Sequence, residues 1–173
     1  MEQAISHIVE WLKQQVHTSG VNGLLVGVSG GLDSAVVAYL IKRACPNQSL
    51  GVVMPLKSNL TDIEHANMVI EGSQISGITV DLTDSHHTLY AYIREELQRI
   101  GGFKQEKDQI ADANLRARLR MSTLYTLATH YNYLVVGTDN MAEYYTGYFT
   151  KYGDGGVDIS DENGICQLCQ GGM

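Results

Sequence analysis

Six consecutive residues near the N-terminus have types and a spacing suited to binding phosphate. The run Ser29-Gly30-Gly31-Leu32-Asp33-Ser34 lies between two apolar segments, 24–28 and 35–44. Adjacent glycines let the backbone approach a bulky anion, and the N–H groups at a helix N-terminus carry a partial positive charge. The serine hydroxyls add further donors. The sequence therefore predicts a phosphate-binding loop. The alternative is an ordinary tight turn with Asp33 or Ser34 as a helix N-cap.

The same run indicates a divalent cation beside the phosphates. The carboxylate of Asp33 would repel a bare phosphate, whereas a bridging Mg²⁺ attracts both groups. The run lacks the lysine of a Walker A motif and the G-x-G-x-x-G spacing of a dinucleotide-binding loop. We therefore expect a phosphate site with a bridging Mg²⁺ held at Asp33.

Alternating apolar and amphipathic segments must position this loop. Short apolar runs predict strands at 24–28, 50–54, 78–81 and 133–137. Helical patterns predict helices at 5–16, 35–44, 61–73, 84–99 and about 114–131, the third opening with a capping box at Thr61 and Glu64. The polar, glycine-led stretch 101–112 favours a loop. Together these elements predict an α/β fold, a Rossmann-like doubly wound parallel sheet with helices on both faces.

Composition narrows the class of protein. The 173 residues include 12 Lys+Arg and 19 Asp+Glu, for a formal net charge of -7. Binding to a phosphate backbone needs clustered Lys and Arg, and a membrane span needs about 18 consecutive apolar residues. We therefore expect no nucleic-acid partner and no membrane insertion. Three cysteines and no visible signal peptide favour the cytoplasm.

The loop S-G-G-x-D-S resembles the pyrophosphate-binding loop of the N-type ATP pyrophosphatases, whose fold is adenine nucleotide alpha-hydrolase-like. Enzymes of this superfamily cleave ATP to AMP and pyrophosphate while they activate a second substrate. The resemblance implies that residues 29–34, including Leu32, bind ATP. It does not select one member of the superfamily.

Sequence blocks in the second half resemble the NAD synthetases in particular. Residues 114–121, NLRARLRM, are similar to that family's N-x-x-A-R-x-R-M helix. Residues 137–143, GTDNMAE, and 146–158, TGYFTKYGDGGVD, are similar to its next two blocks. The resemblance covers about residues 3–158, and it identifies 1–158 as an incomplete NAD synthetase-like domain.

On the ATP side, the resemblance implies that Thr138 contacts ATP. It also implies that Glu143 is the second Mg²⁺ carboxylate beside Asp33. The helical pattern alone leaves open that Glu143 is an ordinary solvated glutamate.

On the side of the acid substrate, the resemblance implies that Arg118, Lys151 and Asp158 contact deamido-NAD. Asp33, Glu143, Lys151 and Asp158 would then form the catalytic group. Helical spacing places Arg118 on a mostly apolar face with Tyr125, where a guanidinium needs an anionic partner, and it leaves equally open an ordinary surface arginine paired to a glutamate.

The implied reaction is the amidation of deamido-NAD with ammonia, which gives NAD, AMP and pyrophosphate through an acyl adenylate. ATP would be the co-substrate and Mg²⁺ the cofactor, and members of the family are homodimers. Two alternatives stay open: another ATP pyrophosphatase that transfers sulfur or amidates, and an inactive nucleotide-binding fragment.

Residues 159–173 depart from the family pattern. We expect a divergent or truncated tail, with the last strand and the C-terminal helices of the fold missing. Cys166 and Cys169 form a lone C-x-x-C, which is either incidental, half of a zinc site or a redox pair. His86 and His87, at a helix start, are expected to be solvated rather than ligands.

Overall fold

The computed structural model describes residues 2–139, 146–147 and 149–160. Helices and strands alternate along these residues, as predicted. The elements are α1 (Glu2–Ser19), β1 (Gly23–Gly27), α2 (Leu32–Ala44), β2 (Ser49–Val53), α3 (Leu60–Ser73), β3 (Ser76–Thr79), α4 (Thr83–Arg99), α5 (Gln105–Tyr131) and β4 (Tyr133–Val135).

All five helices begin earlier than predicted, and the starts of α5 and α3 have an identifiable cause. Helix α5 begins at Gln105, so most of the polar stretch expected to be a loop is helical. Glu106 and Asp108 in its first turn suit the positive end of the helix dipole, and Tyr90 of α4 donates a hydrogen bond to the carboxylate of Asp108. The N-cap of α3 is Asn59, so the predicted capping box at Thr61 is wrong.

The four strands of the described residues form one parallel sheet in the order β3-β2-β1-β4. Strand β1 is paired on both sides, because Leu25 is in register with Leu50 of β2 and with Val135 of β4. A strand that is covered on both faces needs apolar side chains in both directions. Its central residues, Leu24, Leu25 and Val26, are accordingly fully buried.

Helices cover both faces of the sheet, which confirms the predicted doubly wound architecture. Leu24 and Val26 face a core formed with α1, α2 and α3. Leu25 faces the opposite core, where the side chains of Leu124 and Ala128 from α5 pack on the sheet. Helix α4 packs against α5, and His86 is its buried residue. None of the helices in the described ranges is long and apolar enough to cross a membrane.

The order of the strands creates a crevice at one edge of the sheet. The chain runs outward from β1 to β2 and β3, then returns to place β4 on the other side of β1. Ligands of open α/β sheets bind at such a switch point, at the carboxyl ends of the strands. Beyond β4, Val136 forms an isolated parallel bridge with Ile159, which brings the end of the described chain to the same edge.

Candidate active site

A cavity of about 330 Å³ opens at this edge of the sheet. The ends of β1, β2 and β4 supply Ser29, Met54 and Thr138 to its lining. Helices α3 and α5 supply further walls, with Asp62 and Arg120 among their lining residues. Ser29, the first residue of the predicted phosphate loop, and the predicted ATP-contacting threonine therefore line one cavity.

The hydroxyl groups of the loop after β1 hold its backbone in shape. Ser34 Oγ accepts a hydrogen bond from Ser29 N at 3.2 Å and donates one to Gly31 O at 3.0 Å. Ser29 Oγ accepts a hydrogen bond from Gly31 N at 3.2 Å and lies 3.1 Å from Ser34 Oγ. The N-cap of α2 is Gly31, so neither Asp33 nor Ser34 caps this helix. The first N–H groups of a helix have no acceptor within it, which leaves them directed at the loop.

Gly30 is the position in this loop where a side chain does not fit. Its φ of +87° is in the left-handed region, and a Cβ there would collide with the carbonyl oxygen of Asp62 and lie 3.1 Å from His65 Cβ. The loop therefore approaches the start of α3 closely, and this contact depends on glycine.

Helix α5 forms one wall of the cavity through Ala117, Arg120, Met121 and Leu124. Arg120 Nε and Nη2 donate to the carbonyl oxygens of Met54 at 3.4 Å and Leu56 at 3.3 Å. Burial lowers the pKa of Arg120 from its ordinary value, and the nearby Arg116 cation acts in the same direction. We predicted no role for Arg120. Its spacing of three residues from Ala117 and four from Leu124 is a signal that these residues share one helix face.

Arg118 is exposed, so it is not packed on an apolar surface as expected. Ala117, Arg120 and Met121 of the same helix line the cavity, and Arg118 does not. Arg118 Nε donates a hydrogen bond to Lys151 O at 3.1 Å, and this contact joins two residues that the resemblance assigned to one substrate. The side chain of Lys151 is exposed, with Nζ 5.1 Å from the ring centre of Tyr152.

The segment 149–160 lies against α5 through glycines and hydroxyl groups. A Cβ at Gly153 would lie 2.9 Å from Ala117 Cβ, so glycine permits the close approach. Thr150 Oγ1 donates to Asn114 Oδ1 at 3.1 Å. Gly153 and Gly156 then contribute to the cavity lining opposite the phosphate loop.

Asp158 joins this segment to β4 and α5. Its Oδ2 accepts a hydrogen bond from Val135 N at 2.8 Å, and its Oδ1 accepts one from Tyr125 Oη at 3.0 Å. Burial together with this bond raises the pKa of Tyr125 to about 12. Both oxygens of a predicted catalytic carboxylate therefore have partners within the chain, at the end of the strand beside the cavity.

Several predicted residues lie outside the described residues. These are Glu143 and the pair Cys166 and Cys169. Within residues 2–139, 146–147 and 149–160, there is no group of three or more His, Cys, Asp or Glu side chains that could hold a metal ion. The remaining cysteine, Cys45, is buried, and burial raises the pKa of its thiol.

Comparisons with known sequences agree on one family. A family model described as NAD synthase matches residues 4–169. The NH(3)-dependent NAD(+) synthetase of Alkaliphilus oremlandii is 54% identical over 159 residues, which are 92% of this chain and 64% of that protein. The enzyme of the same name from Methanocaldococcus jannaschii is 43% identical over 163 residues, 92% of this chain and 60% of that protein. The chain thus spans less than two thirds of the length of these curated relatives.

Solved structures of similar proteins have the same fold. The NMN synthetase from Francisella tularensis superimposes with a TM-score of 0.82 at 31% identity, covering 98% of this chain and 69% of that one. The NH3-dependent NAD synthetase from Campylobacter jejuni, in complex with a nitrate ion, gives a TM-score of 0.81 at 26% identity, covering 98% and 72%.

A cluster of charged residues lies behind the cavity wall, around His86. This histidine is 1% exposed, so the expectation that it is solvated is wrong. Its Nε2 lies 3.3 Å from Asp112 Oδ1, and its ring stacks on Tyr90. Burial lowers the pKa of His86 below its ordinary value of 6.5, and Asp112 opposes this effect whereas Lys57 and Arg116 add to it.

We predict that this burial makes the stability of the protein fall on mild acidification. Below about pH 6.5 the unfolded chain takes up a proton at His86 that the folded chain does not, so the free energy of unfolding decreases as the pH falls towards the folded pKa. Urea unfolding at about pH 7.5, 6.5 and 5.5 measures this dependence. His86→Gln should flatten it over this range.

The matched control is His87→Gln, since His87 is exposed in the folded protein as it is in the unfolded chain. The control should retain the pH dependence of the parent. An equal dependence in the parent and in His86→Gln would contradict the prediction.

Proposed function

The chain belongs to the NAD synthase family, and from this premise we propose that it catalyses the ATP-dependent amidation of deamido-NAD with ammonia. The products would be NAD, AMP and pyrophosphate. The observation that carries the proposal is the cavity at the switch point of the sheet, which is lined by Ser29 of the loop after β1 and by Thr138 after β4.

The triphosphate of ATP would bind to the loop of residues 29–34. The start of α2 presents backbone N–H groups to an anion there, and the loop is ordered by the hydroxyls of Ser29 and Ser34. Thr138, whose side chain lines the same cavity, would contact the nucleotide from the other side. These contacts fix the α-phosphorus in one position relative to the second substrate.

Asp33 and Glu143 would hold Mg²⁺. Asp33, the member of this pair that the structure describes, supplies a carboxylate, and Mg²⁺ is commonly bound by one or two carboxylates together with phosphate oxygens and water. Asp33 stands in the first turn of α2, directly after the glycines. When bound, Mg²⁺ would neutralise charge on the phosphates. Asp33 therefore orients the triphosphate through the ion rather than by direct contact.

The carboxylate of deamido-NAD would be held by residues of α5 and of segment 149–160. Arg118 uses Nε to bind Lys151 O, and a guanidinium carries four further N–H donors for an anionic ligand. Asp158 would contact the substrate while it keeps its bonds to Val135 and Tyr125, since each carboxylate oxygen accepts more than one hydrogen bond.

The chemistry proceeds in two displacements. A carboxylate oxygen of deamido-NAD attacks the α-phosphorus of ATP, the bond from that phosphorus to the α,β-bridging oxygen breaks, and pyrophosphate leaves with the electron pair. Ammonia then attacks the acyl carbon of the adenylate, AMP leaves with the electrons of the C–O bond, and the nitrogen loses a proton. The side chains position these groups and stabilise negative charge, and no covalent enzyme intermediate is needed.

In a second candidate function the reaction is the same, but the acid substrate is different. The likeness to a solved NMN synthetase favours a mononucleotide acid as an alternative substrate. The phosphate loop and Thr138 would serve either acid equally, because both reactions use the same ATP site.

We also propose that the chain forms a homodimer through α4, and that it acts in the cytoplasm, where ATP is available. Helix α4 carries a stripe of large apolar side chains that are exposed, namely Leu89, Ile93, Leu97 and Ile100. This stripe follows helical spacing along one face, and exposed apolar patches of this kind mark sites of association.

The first prediction from this proposal tests the reaction. Release of AMP from ATP should require deamido-NAD and ammonia together, and mass spectrometry should detect NAD as the product. Release of AMP without deamido-NAD would favour another ATP pyrophosphatase. Faster turnover of the mononucleotide acid would favour the second candidate, and ATP binding without any turnover would indicate an inactive nucleotide-binding chain.

The second prediction tests the phosphate loop. Gly30→Ala should weaken ATP binding at least about tenfold, equivalent to about 1.4 kcal/mol, because the added Cβ displaces the loop from α3. Calorimetric titration with ATP measures the dissociation constant.

Its matched control is Gly20→Ala, at a glycine of similar φ, +66°, with nothing within 4 Å of the added Cβ. The control should bear the same backbone strain without changing ATP affinity. Equal affinities for all three proteins would rule out the loop as the binding site.

The third prediction tests the dimer. The parent should elute with a mass about twice the 19.0 kDa of the chain in light scattering coupled to gel filtration. Leu89→Lys combined with Ile93→Lys should give a monomer, since charges on the stripe cannot be buried without partners. Glu95→Lys, on the opposite face of α4, should stay dimeric. A monomeric parent would refute the proposal.

A further inference from the structure

The loop between β2 and α3 forms one wall of the cavity and has a strained conformation. Met54, Pro55 and Ser58 of this loop line the cavity. Lys57 adopts a φ of +53°, in the left-handed region that non-glycine residues rarely occupy. Such a residue persists when its surroundings hold it in place. The contacts around Lys57 therefore determine the shape of this wall.

Two side chains of α5, those of Arg120 and Asp112, hold the loop in place. Arg120 bonds to the carbonyl oxygens of Met54 and Leu56, which fixes the backbone before the strained residue. Lys57 Nζ donates to Asp112 Oδ1 at 2.7 Å, which fixes the strained residue itself. The loop is thus attached to α5 at points two turns of helix apart.

Asp112 is the centre of a group of charges that do not line the cavity. Its carboxylate is 15% exposed and lies 3.1 Å from Arg116 Nε and 3.3 Å from His86 Nε2 in addition to Lys57. A partly buried carboxylate with several partners is more stabilising to its neighbours than an exposed ion pair, and its removal leaves their charges uncompensated. Asp112 therefore helps to hold in place the side chains that it contacts, including that of Lys57.

We propose that Asp112 is a positioning residue for ATP, acting through Lys57 to hold the loop of residues 54–58 in the shape that forms the nucleotide side of the cavity. This inference rests on the proposed function, since it names ATP as the ligand. Asp112 touches neither substrate. The bonds of α5 to segment 149–160 use Asn114, Arg118 and Tyr125, so the side assigned to deamido-NAD does not depend on Asp112.

The test uses the full chain and the variants Asp112→Asn, Lys57→Gln and their combination. Each single change should weaken ATP binding about fivefold in calorimetry, whereas the KM for deamido-NAD should stay within about twofold. Because both side chains act through one ion pair, the double variant should bind ATP about as weakly as either single variant. Asp112→Glu, which keeps the charge, should recover most of the affinity.

Amide hydrogen exchange of residues 54–60 gives a readout that needs no nucleotide. Exchange in this segment should accelerate in both single variants while the exchange of β1 is unchanged. Glu10→Gln is the control, because it removes an exposed ion pair with Lys13 on α1, away from the cavity. It should alter neither exchange nor affinity.

The results distinguish the positioning role of Asp112 from the proposed function. Unchanged exchange in residues 54–60, or unchanged ATP affinity in variants of a parent that binds ATP, overturns the positioning role of Asp112. Equal losses for ATP and deamido-NAD also overturn it, because they indicate general loosening of the fold. A parent that binds no ATP overturns the proposed function itself, and this is seen before any substitution is made.

Discussion

The parallel pairing of β1 with strands on both sides is the constraint on which the rest of this structure depends. Parallel strands end at the same edge, so the loops after β1, β2 and β4 must meet there. The burial of Leu24, Leu25 and Val26 fixes the register, since a slip by one residue would turn each side chain to the wrong core. The glycine loop and Thr138 are far apart in sequence, and this register brings them to one cavity.

Helix α5 positions the outer walls of the cavity relative to the sheet. Its inner face packs on Leu25 through the core that contains Ala128. Its polar residues then reach the β2–α3 loop on one side, through Arg120, and segment 149–160 on the other, through Arg118. One rigid helix of 27 residues thereby sets the distance between the wall assigned to ATP and the segment assigned to the acid substrate.

The sequence predicted the features that depend on local patterns. Apolar runs bounded by glycine identified the strands, and the S-G-G-x-D-S run identified the loop at the cavity, because these signals lie within a few neighbouring residues. The role of Arg120 was not predictable, since it depends on carbonyl groups of a loop 64 and 66 residues away. The burial of His86 and the early start of α5 follow from the packing of α4 on α5, which no single segment of sequence encodes.

The hydrogen bonds within the phosphate loop bear on how it would accept a ligand. The N–H groups of Ser29 and Gly31 are bonded to serine hydroxyls, not left without acceptors. A phosphate that replaced these hydroxyls would exchange one hydrogen bond for a stronger, charge-assisted one, and the released hydroxyls would turn to donate to the same anion. The backbone is already in place, with Gly30 against α3, so little conformational entropy remains to be lost on binding. The serines order the loop, and in the proposed function they would also donate to the bound phosphate.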